Sequence, residues 1–233
     1  TTSRSGSDAD LALNTGDLVR LRATLDSVAP DVIVNATAYT AVDRAEQEPE
    51  LAMRLNAEVP GVIGDWAATQ GALVVHYSTD YVFDGTKDGP YVETDKPNPI
   101  NVYGRSKLAG DEALLASGCN AIILRVSWVY GMRGSNFLLT MRRLMAERDA
   151  LEVVDDQIGA PTWCGTIAEV TTGVVQKALA AGDSVASLRG VYHLAPSGET
   201  SWFGFAMAIR DMFELDCEVT PIPTTEYPTP AKR

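Results

Sequence analysis

The stretch Ala72-Leu-Val-Val-His-Tyr-Ser-Thr-Asp80 decides the fold: an apolar, β-branched run follows Gly71 and passes directly into hydroxyls and a carboxylate. A short run of this kind reads as a strand buried on both faces, as parallel sheets contain. Two more runs repeat the pattern, Asp31-Val-Ile-Val-Asn-Ala36 upstream and Ala121-Ile-Ile-Leu-Arg-Val126 downstream. Helical spacing fills the intervals. Leu18, Leu21, Leu25 and Val28 recur three or four apart with Asp17 placed to cap them. Residues 48–70 continue to a stop at Gly71, and residues 102–117 to a stop at Gly118. Strand, helix, strand, helix, strand implies an α/β protein with a doubly wound parallel sheet.

The rest of the chain is read outward from that sheet. Residues 78–100 hold Asp84-Gly85, Asp88-Gly89-Pro90, Pro97 and Pro99, too many breakers for a regular element, so a long loop follows the strand. Long loops in compact domains are usually functional. A Gly-containing loop at 131–135 leads into a helix through Met145, residues 165–181 read as a helix, Val191-Tyr-His-Leu194 as a short strand, and 201–213 as a helix capped by Thr200 or Ser201. Pro221 to Pro230 is proline-rich. The expected organisation is a dinucleotide-binding domain over 1–154 and a smaller, mainly substrate-binding lobe over 155–233, leaning over the sheet's carboxyl edge.

Composition narrows the function classes. The 233 residues are 45% hydrophobic and 21% charged, and 31 Asp and Glu outweigh 19 Lys and Arg to give a net charge of −12. With a pI near 4.6 and a mean hydropathy of −0.03, the chain is a poor general binder of polyanions and has no apolar run that would span a bilayer. The polar start, Thr1 to Asp10, lacks the apolar core of a signal peptide, so a cytoplasmic location is expected. Cys119, Cys164 and Cys217 are odd in number and far apart, and only His76 and His193 are available, so neither a disulfide framework nor a His-rich metal site is expected.

Chemistry concentrates at two places. Tyr103 and Lys107, in Tyr103-Gly-Arg-Ser-Lys107, stand four apart at the start of a helix and share a face. A lysine ammonium near a phenol stabilises phenolate and lowers its pKa toward the working range of a general acid or base. Alone, the pair also suits a solvated helix face. Thr79 and Asp80 add weight, because they follow a buried strand at the carboxyl edge where open α/β sheets bind ligands, and Thr79 can hydrogen-bond a substrate oxygen beside the phenol.

These pieces resemble the extended short-chain dehydrogenase/reductase family, and within it the reductases of dTDP-4-keto-6-deoxy sugars. The resemblance is carried by residues 31–46, Tyr77-Ser-Thr-Asp-Tyr-Val-Phe83, Asn101-Val-Tyr-Gly-Arg-Ser-Lys-Leu-Ala-Gly110, Arg125-Val-Ser-Trp-Val-Tyr130, Asp155-Asp-Gln-Ile-Gly-Ala-Pro-Thr162 and Tyr227-Pro-Thr-Pro-Ala231. It implies a Rossmann-like fold and NADPH or NADH as cofactor. Tyr103 is then the proton donor to a C4 carbonyl oxygen, Lys107 holds the nicotinamide ribose, and Thr79 completes the catalytic trio. Thr79, Asp80 and Trp128 contact the dTDP-sugar, and Thr37, Ala38 and Tyr39 contact the cofactor. Residues 157–162 shape the sugar pocket, and Lys232 and Arg233 are available to the diphosphate. Asp43 to Glu46 read as a solvated helix start. Magnesium and a homodimer occur in the family, without metal ligands assignable here, and no nucleic-acid or membrane partner is implied.

One family feature is missing. No glycine trio precedes Asp31, since Gly6 and Gly16 are isolated, and this loop is what sets backbone N–H groups against a dinucleotide pyrophosphate. With Thr79, Tyr103 and Lys107 intact, the favoured expectation is that Thr1 falls inside a longer natural chain. Two other readings stay open: a nucleotide-sugar epimerase or dehydratase using the same tyrosine and lysine, and a non-catalytic binding subunit resembling that of methionine adenosyltransferase.

Overall fold

The run after Gly71 forms the strand Leu73–Thr79, with Val74 and Val75 fully buried. It lies third in a four-stranded sheet ordered Gly190–Leu194, Asn120–Val126, Leu73–Thr79, Val32–Asn35. Val32–Asn35 pairs with it in parallel, Val32 opposite Leu73 and Asn35 opposite His76, so both strands leave the sheet at the same edge. This strand is less buried than its composition predicts. It is last in the strand order, and Val34 is 47% exposed. β-branched residues specify an extended backbone; what layer covers them depends on the rest of the fold.

The computed structural model describes residues 1–4 and 9–233, so Gly6 lies outside the described residues. Two compact units are present: one comprises Thr1–Arg125, Gly173–His193 and Pro230–Arg233, the other Val126–Thr172 and Leu194–Thr229. In the first, the helix Leu18–Val28 starts where the Asp17 side chain accepts the Arg20 N–H, and ends at Ala29 with φ 44°. The expected helix over 48–70 is present in three parts, Pro49–Met53, a π-helical turn Arg54–Glu58, and Val59–Gln70. Pro60 is the physical reason for the widening, because it has no N–H to offer the Asn56 carbonyl one turn back. Gly71 closes this helix at φ 72°. Leu21, Leu25, Val59, Ile63, Trp66, Val74, Leu114 and Ile123 form the shared core of helices and sheet.

The second unit contains a strand pair that the sequence pattern did not reveal. Ala150–Val154 runs parallel to Glu218–Ile222, with Pro221 inside the latter. A proline cannot donate to the ladder and is found on edge strands, which is why a proline-rich tail hid this one. The helices Phe137–Glu147 and Trp202–Met212 begin at Asn136 and Ser201, whose side chains accept from Leu139 N and Gly204 N. Met145, Val153, Ala206, Cys217 and Val219 form the core of this unit. Among the described residues no helix is long and apolar enough to cross a membrane.

Candidate active site

At the end of Leu73–Thr79 the chain turns through a short 3-10 helix, Asp80–Val82. The Thr79 hydroxyl donates to Asp80 Oδ1 at 3.0 Å and accepts the Tyr81 N–H at 3.2 Å, so its one proton is directed at the carboxyl. Burial raises the Asp80 pKa to about 6, against the opposing pull of the Thr79 and backbone hydrogen bonds.

Tyr103 lies in the first turn of the helix Val102–Ala116, whose start is pinned from three directions. Asn101, 2% exposed, accepts the Gly104 N–H at 2.7 Å and donates through Nδ2 to the Lys232 carbonyl at 2.9 Å. Glu46 Oε1 accepts the Val102 N–H at 2.7 Å. Two glycines let the helix approach backbone. A Cβ at Gly104 would lie 2.1 Å from the Tyr81 carbonyl oxygen, and one at Gly110 would lie 2.0 Å from that of Asn56. The Tyr81 ring meets the Tyr103 ring edge-on at 5.5 Å between centroids.

Thr79 and Tyr103 are thereby brought together. The phenol is held above its ordinary pKa, first by burial; the Thr79 hydroxyl acts in the opposite direction, and Asp80, Tyr81 and Asp111 add to the rise. The sequence reading expected a lowering by Lys107, and the geometry gives the reason for the difference. Lys107 Nζ turns inward, donating to the Tyr77 carbonyl at 2.6 Å and lying 3.2 Å from His76 Nε2. It is 1% exposed, and burial lowers its own pKa to about 8 against the attraction of Asp111. Asp111, one turn on, accepts from Ser78 Oγ at 2.8 Å and from Arg125 at 3.4 Å.

Thr37, Ala38 and Tyr39 leave the sheet at the same edge as Thr79, since the strands before them are parallel and in register. The Tyr39 backbone is held by Asn56, which lies in the π-helical turn. Its Oδ1 accepts the Tyr39 N–H at 2.8 Å, and its Nδ2 donates to the Tyr39 carbonyl at 3.0 Å and to Ser106 Oγ at 2.9 Å. Sequence reasoning missed Asn56, although Asn-x-x-x-Pro inside a helical pattern is a usable signal for a widened turn carrying a polar side chain.

Asp43 to Glu46 prove to be more than a solvated helix start: besides the Glu46 contact, Asp43 pairs with Arg233 Nη2 at 2.9 Å and accepts the Ala231 N–H at 3.3 Å. Arg233 Nε also donates to the Tyr81 hydroxyl at 3.2 Å, so this cation is engaged by protein groups.

Trp128 belongs to the second unit. Its backbone is left-handed, φ 43°, and its ring stacks on Trp202 with centroids 3.5 Å apart. Gly159 makes room for it, since a Cβ there would meet the ring at 2.4 Å. Gln157 donates to Thr224 Oγ1 at 3.0 Å and accepts from Trp202 Nε1 at 3.1 Å.

The donor set of the first unit fits the ribose and nicotinamide end of a dinucleotide: an amine, a phenol and a threonine hydroxyl at the carboxyl edge of parallel strands. For magnesium the fit fails, since no group of three or more His, Cys, Asp or Glu side chains among the described residues is placed to hold a metal ion.

Comparison with known proteins shows the family. The family model described as RmlD substrate binding domain matches residues 2–233. A dTDP-4-dehydrorhamnose reductase from Burkholderia thailandensis is 44% identical over 239 residues, which cover 98% of this chain and 80% of the relative. One from Salmonella typhimurium is 46% identical over 216 residues, 90% of this chain and 71% of the relative. The crystal structure of dTDP-4-dehydrorhamnose reductase from Bacillus anthracis in complex with NADP superposes with a TM-score of 0.88 at 35% identity, covering 95% of this chain and 75% of that one.

Proposed function

The chain belongs to the RmlD substrate binding domain family, and on that premise we propose that it reduces the C4 keto group of dTDP-4-dehydro-L-rhamnose to give dTDP-L-rhamnose, with Tyr103 as the proton donor. It is an NAD(P)H-dependent oxidoreductase of nucleotide-sugar biosynthesis with a Rossmann-like sheet. The observation that carries the mechanism is the placement of Tyr103: a half-buried phenol beside the Thr79 hydroxyl, at the edge of parallel strands, its pKa raised by desolvation.

Bound NAD(P)H supplies hydride to C4. Tyr103 gives its proton to the carbonyl oxygen as that oxygen gains charge, and the resulting phenolate takes a proton back from solvent. A general acid aimed in this way is worth roughly 10²–10⁴-fold in rate. Thr79 orients the reacting oxygen, Asp80 holds the sugar next to it, and Trp128 offers the sugar an aromatic face. Lys107 holds the nicotinamide ribose, and Thr37, Ala38 and Tyr39 line the cofactor's path along the sheet edge. The substrate-binding role belongs mainly to residues 155–233 and the dinucleotide role to residues 1–154. Both ligands are polyanions that do not cross membranes unaided, which supports a cytoplasmic enzyme. A homodimer is the proposed assembly.

The test is oxidation of NAD(P)H by the protein in the presence of dTDP-4-dehydro-L-rhamnose. Tyr103→Phe is expected to lower kcat by about 10³-fold with the fold retained by circular dichroism. Undiminished turnover in that variant overturns the assignment. Tightly bound NAD that is recycled without net consumption points to an epimerase or dehydratase, and the absence of substrate-dependent oxidation points to a binding subunit.

A further inference from the structure

Asp111 is almost fully buried one turn beyond Lys107 on the helix Val102–Ala116, and the mechanism above makes no use of it. Its two oxygens have different surroundings. Oδ2 accepts from Ser78 Oγ at 2.8 Å and from Nε and Nη2 of Arg125 at 3.4 Å, groups carried by the strands Leu73–Thr79 and Asn120–Val126. Oδ1 is buried without a hydrogen-bond partner. His76 Nε2 lies 4.0 Å from that oxygen and 3.2 Å from Lys107 Nζ, so one imidazole neighbours both the carboxyl and the lysine.

A carboxyl in this setting is an acid or a carboxylate, and the donors decide between them. As an acid it would carry its proton on Oδ1, because Oδ2 already faces three N–H or O–H groups. That proton would then need an acceptor in reach, and 4.0 Å to His76 is too long for a hydrogen bond. As a carboxylate it needs positive charge nearby. Arg125 supplies one cation, and Lys107, four residues back on the same helix face, supplies the other. Charge attraction falls only inversely with distance and needs no hydrogen bond, so an ammonium serves Oδ1 without touching it.

Lys107 has the matching need. Its ammonium has one backbone acceptor, the Tyr77 carbonyl, in a site where burial pulls the pKa down to about 8 and Asp111 pulls it up. The other charged groups around the helix do not replace that carboxylate. Burial and then the Lys107 charge hold His76 well below its ordinary value, which leaves it a neutral imidazole. Asp80 of the 3-10 turn is hydrogen-bonded by Thr79 and acts on Tyr103. Asp43 and Glu46 are engaged at the helix start by Arg233 and the Val102 N–H. Arg54 and Glu58 of the π-helical turn pair with each other, and Glu50, Asp65 and Glu112 are exposed.

We propose that Asp111 is a positioning residue for Lys107: a buried carboxylate, fixed through Oδ2 by Ser78 and Arg125, it supplies the counter-charge that keeps Lys107 an ammonium. The inference rests on the reductase reading and deepens it, since on that reading this ammonium holds the nicotinamide ribose beside Tyr103.

The full chain, labelled with ¹³C at lysine Cε and aspartate Cγ, gives both titrations by NMR, with Lys107→Met assigning the lysine signal. Asp111 Cγ is expected to keep its carboxylate shift through the neutral range and to show an inflection at the Lys107 midpoint near pH 8, absent from Lys107→Met. A carboxylic-acid shift at neutral pH, or no inflection, overturns the proposal. Asp111→Asn leaves an amide oxygen for Ser78 and removes the charge. It is expected to lower the Lys107 midpoint by about one pH unit or more, a tenfold change in its ionisation equilibrium, while Asp111→Glu restores most of that loss. An unchanged midpoint in folded Asp111→Asn makes Asp111 a partner of Arg125 alone and overturns the proposal; if that variant fails to fold, the inflection in the unaltered protein decides. In Asp111→Asn the alkaline limb of kcat/KM should move down with the lysine midpoint, whereas lost packing lowers the profile without moving it. The NMR readouts need no turnover, so an inactive protein with the expected titrations contradicts the reductase reading and upholds this one.

Discussion

Around Tyr103 and Lys107 the side chains are held by hydrogen bonds, whereas around Trp128 they are held by ring faces. In the first region Asn56, Asn101, Lys107 and Asp111 are all nearly or fully buried, each with named partners. In the second, Trp128 stacks on Trp202, Phe137 tilts against Trp202 at 4.6 Å, and Tyr130 and Phe137 both meet Phe205. The physical consequences differ. Hydrogen bonds have direction and number, so a small displacement leaves a buried group unpaired at the cost of a few kcal/mol. Stacked rings slide and retain most of their contact, so their losses are graded at about 0.5–1.5 kcal/mol per pair. On the proposed mechanism, a region that aims a proton suits the first kind of support, and one that accommodates a sugar face suits the second.

The sharpest way to break this contrast is to force backbone apart in the polar region. Gly110→Ala sets a Cβ against the Asn56 carbonyl and should lower stability by about 1–3 kcal/mol, read as a lower urea midpoint with an unchanged slope. Gly104→Ala should add a loss of activity, since the same shift moves Tyr103. A wild-type midpoint for Gly110→Ala would show that the close approach is dispensable.

A smaller effect comes from Asp80. Its folded pKa, about 6, lies above the ordinary 3.8, so the native state holds this proton more tightly than the unfolded chain does. The stability it contributes is therefore complete below about pH 4 and is lost as pH rises through about 6. Asp80→Asn should flatten that part of the urea-midpoint profile, and parallel profiles for the two proteins would contradict the burial argument. The smallest effect is expected in the aromatic region. Trp128→Phe keeps a ring on Trp202 and should cost under about 1 kcal/mol, while KM for the sugar rises a few-fold and kcat is maintained. A large fall in kcat instead would make this region as directional as the first.

Much of the fold was legible because its signals are local. Asp17 and Asn101 cap helices, Gly71 and Gly118 end them with positive φ, and β-branched runs form the central strands. The strand Glu218–Ile222 was not legible, because Pro221 masked an edge position that only pairing with Ala150–Val154 reveals. The candidate site divided in the same way. Tyr103 and Lys107 share a helix and were readable from their spacing. Asn56, Glu46 and His76 act across 17 to 56 residues of chain, and no local pattern announces such partners.

By itself, the sequence determined the α/β class, the strand after Gly71, the helix that carries Tyr103 and Lys107, and the chemistry those residue types can perform. Only the tertiary structure decided which way Lys107 points and which groups surround the phenol. Spacing on a helix places two side chains on one face, but a long side chain goes where a buried acceptor waits. Here that acceptor is the Tyr77 carbonyl, with His76 beside it, supplied by a strand some thirty residues away.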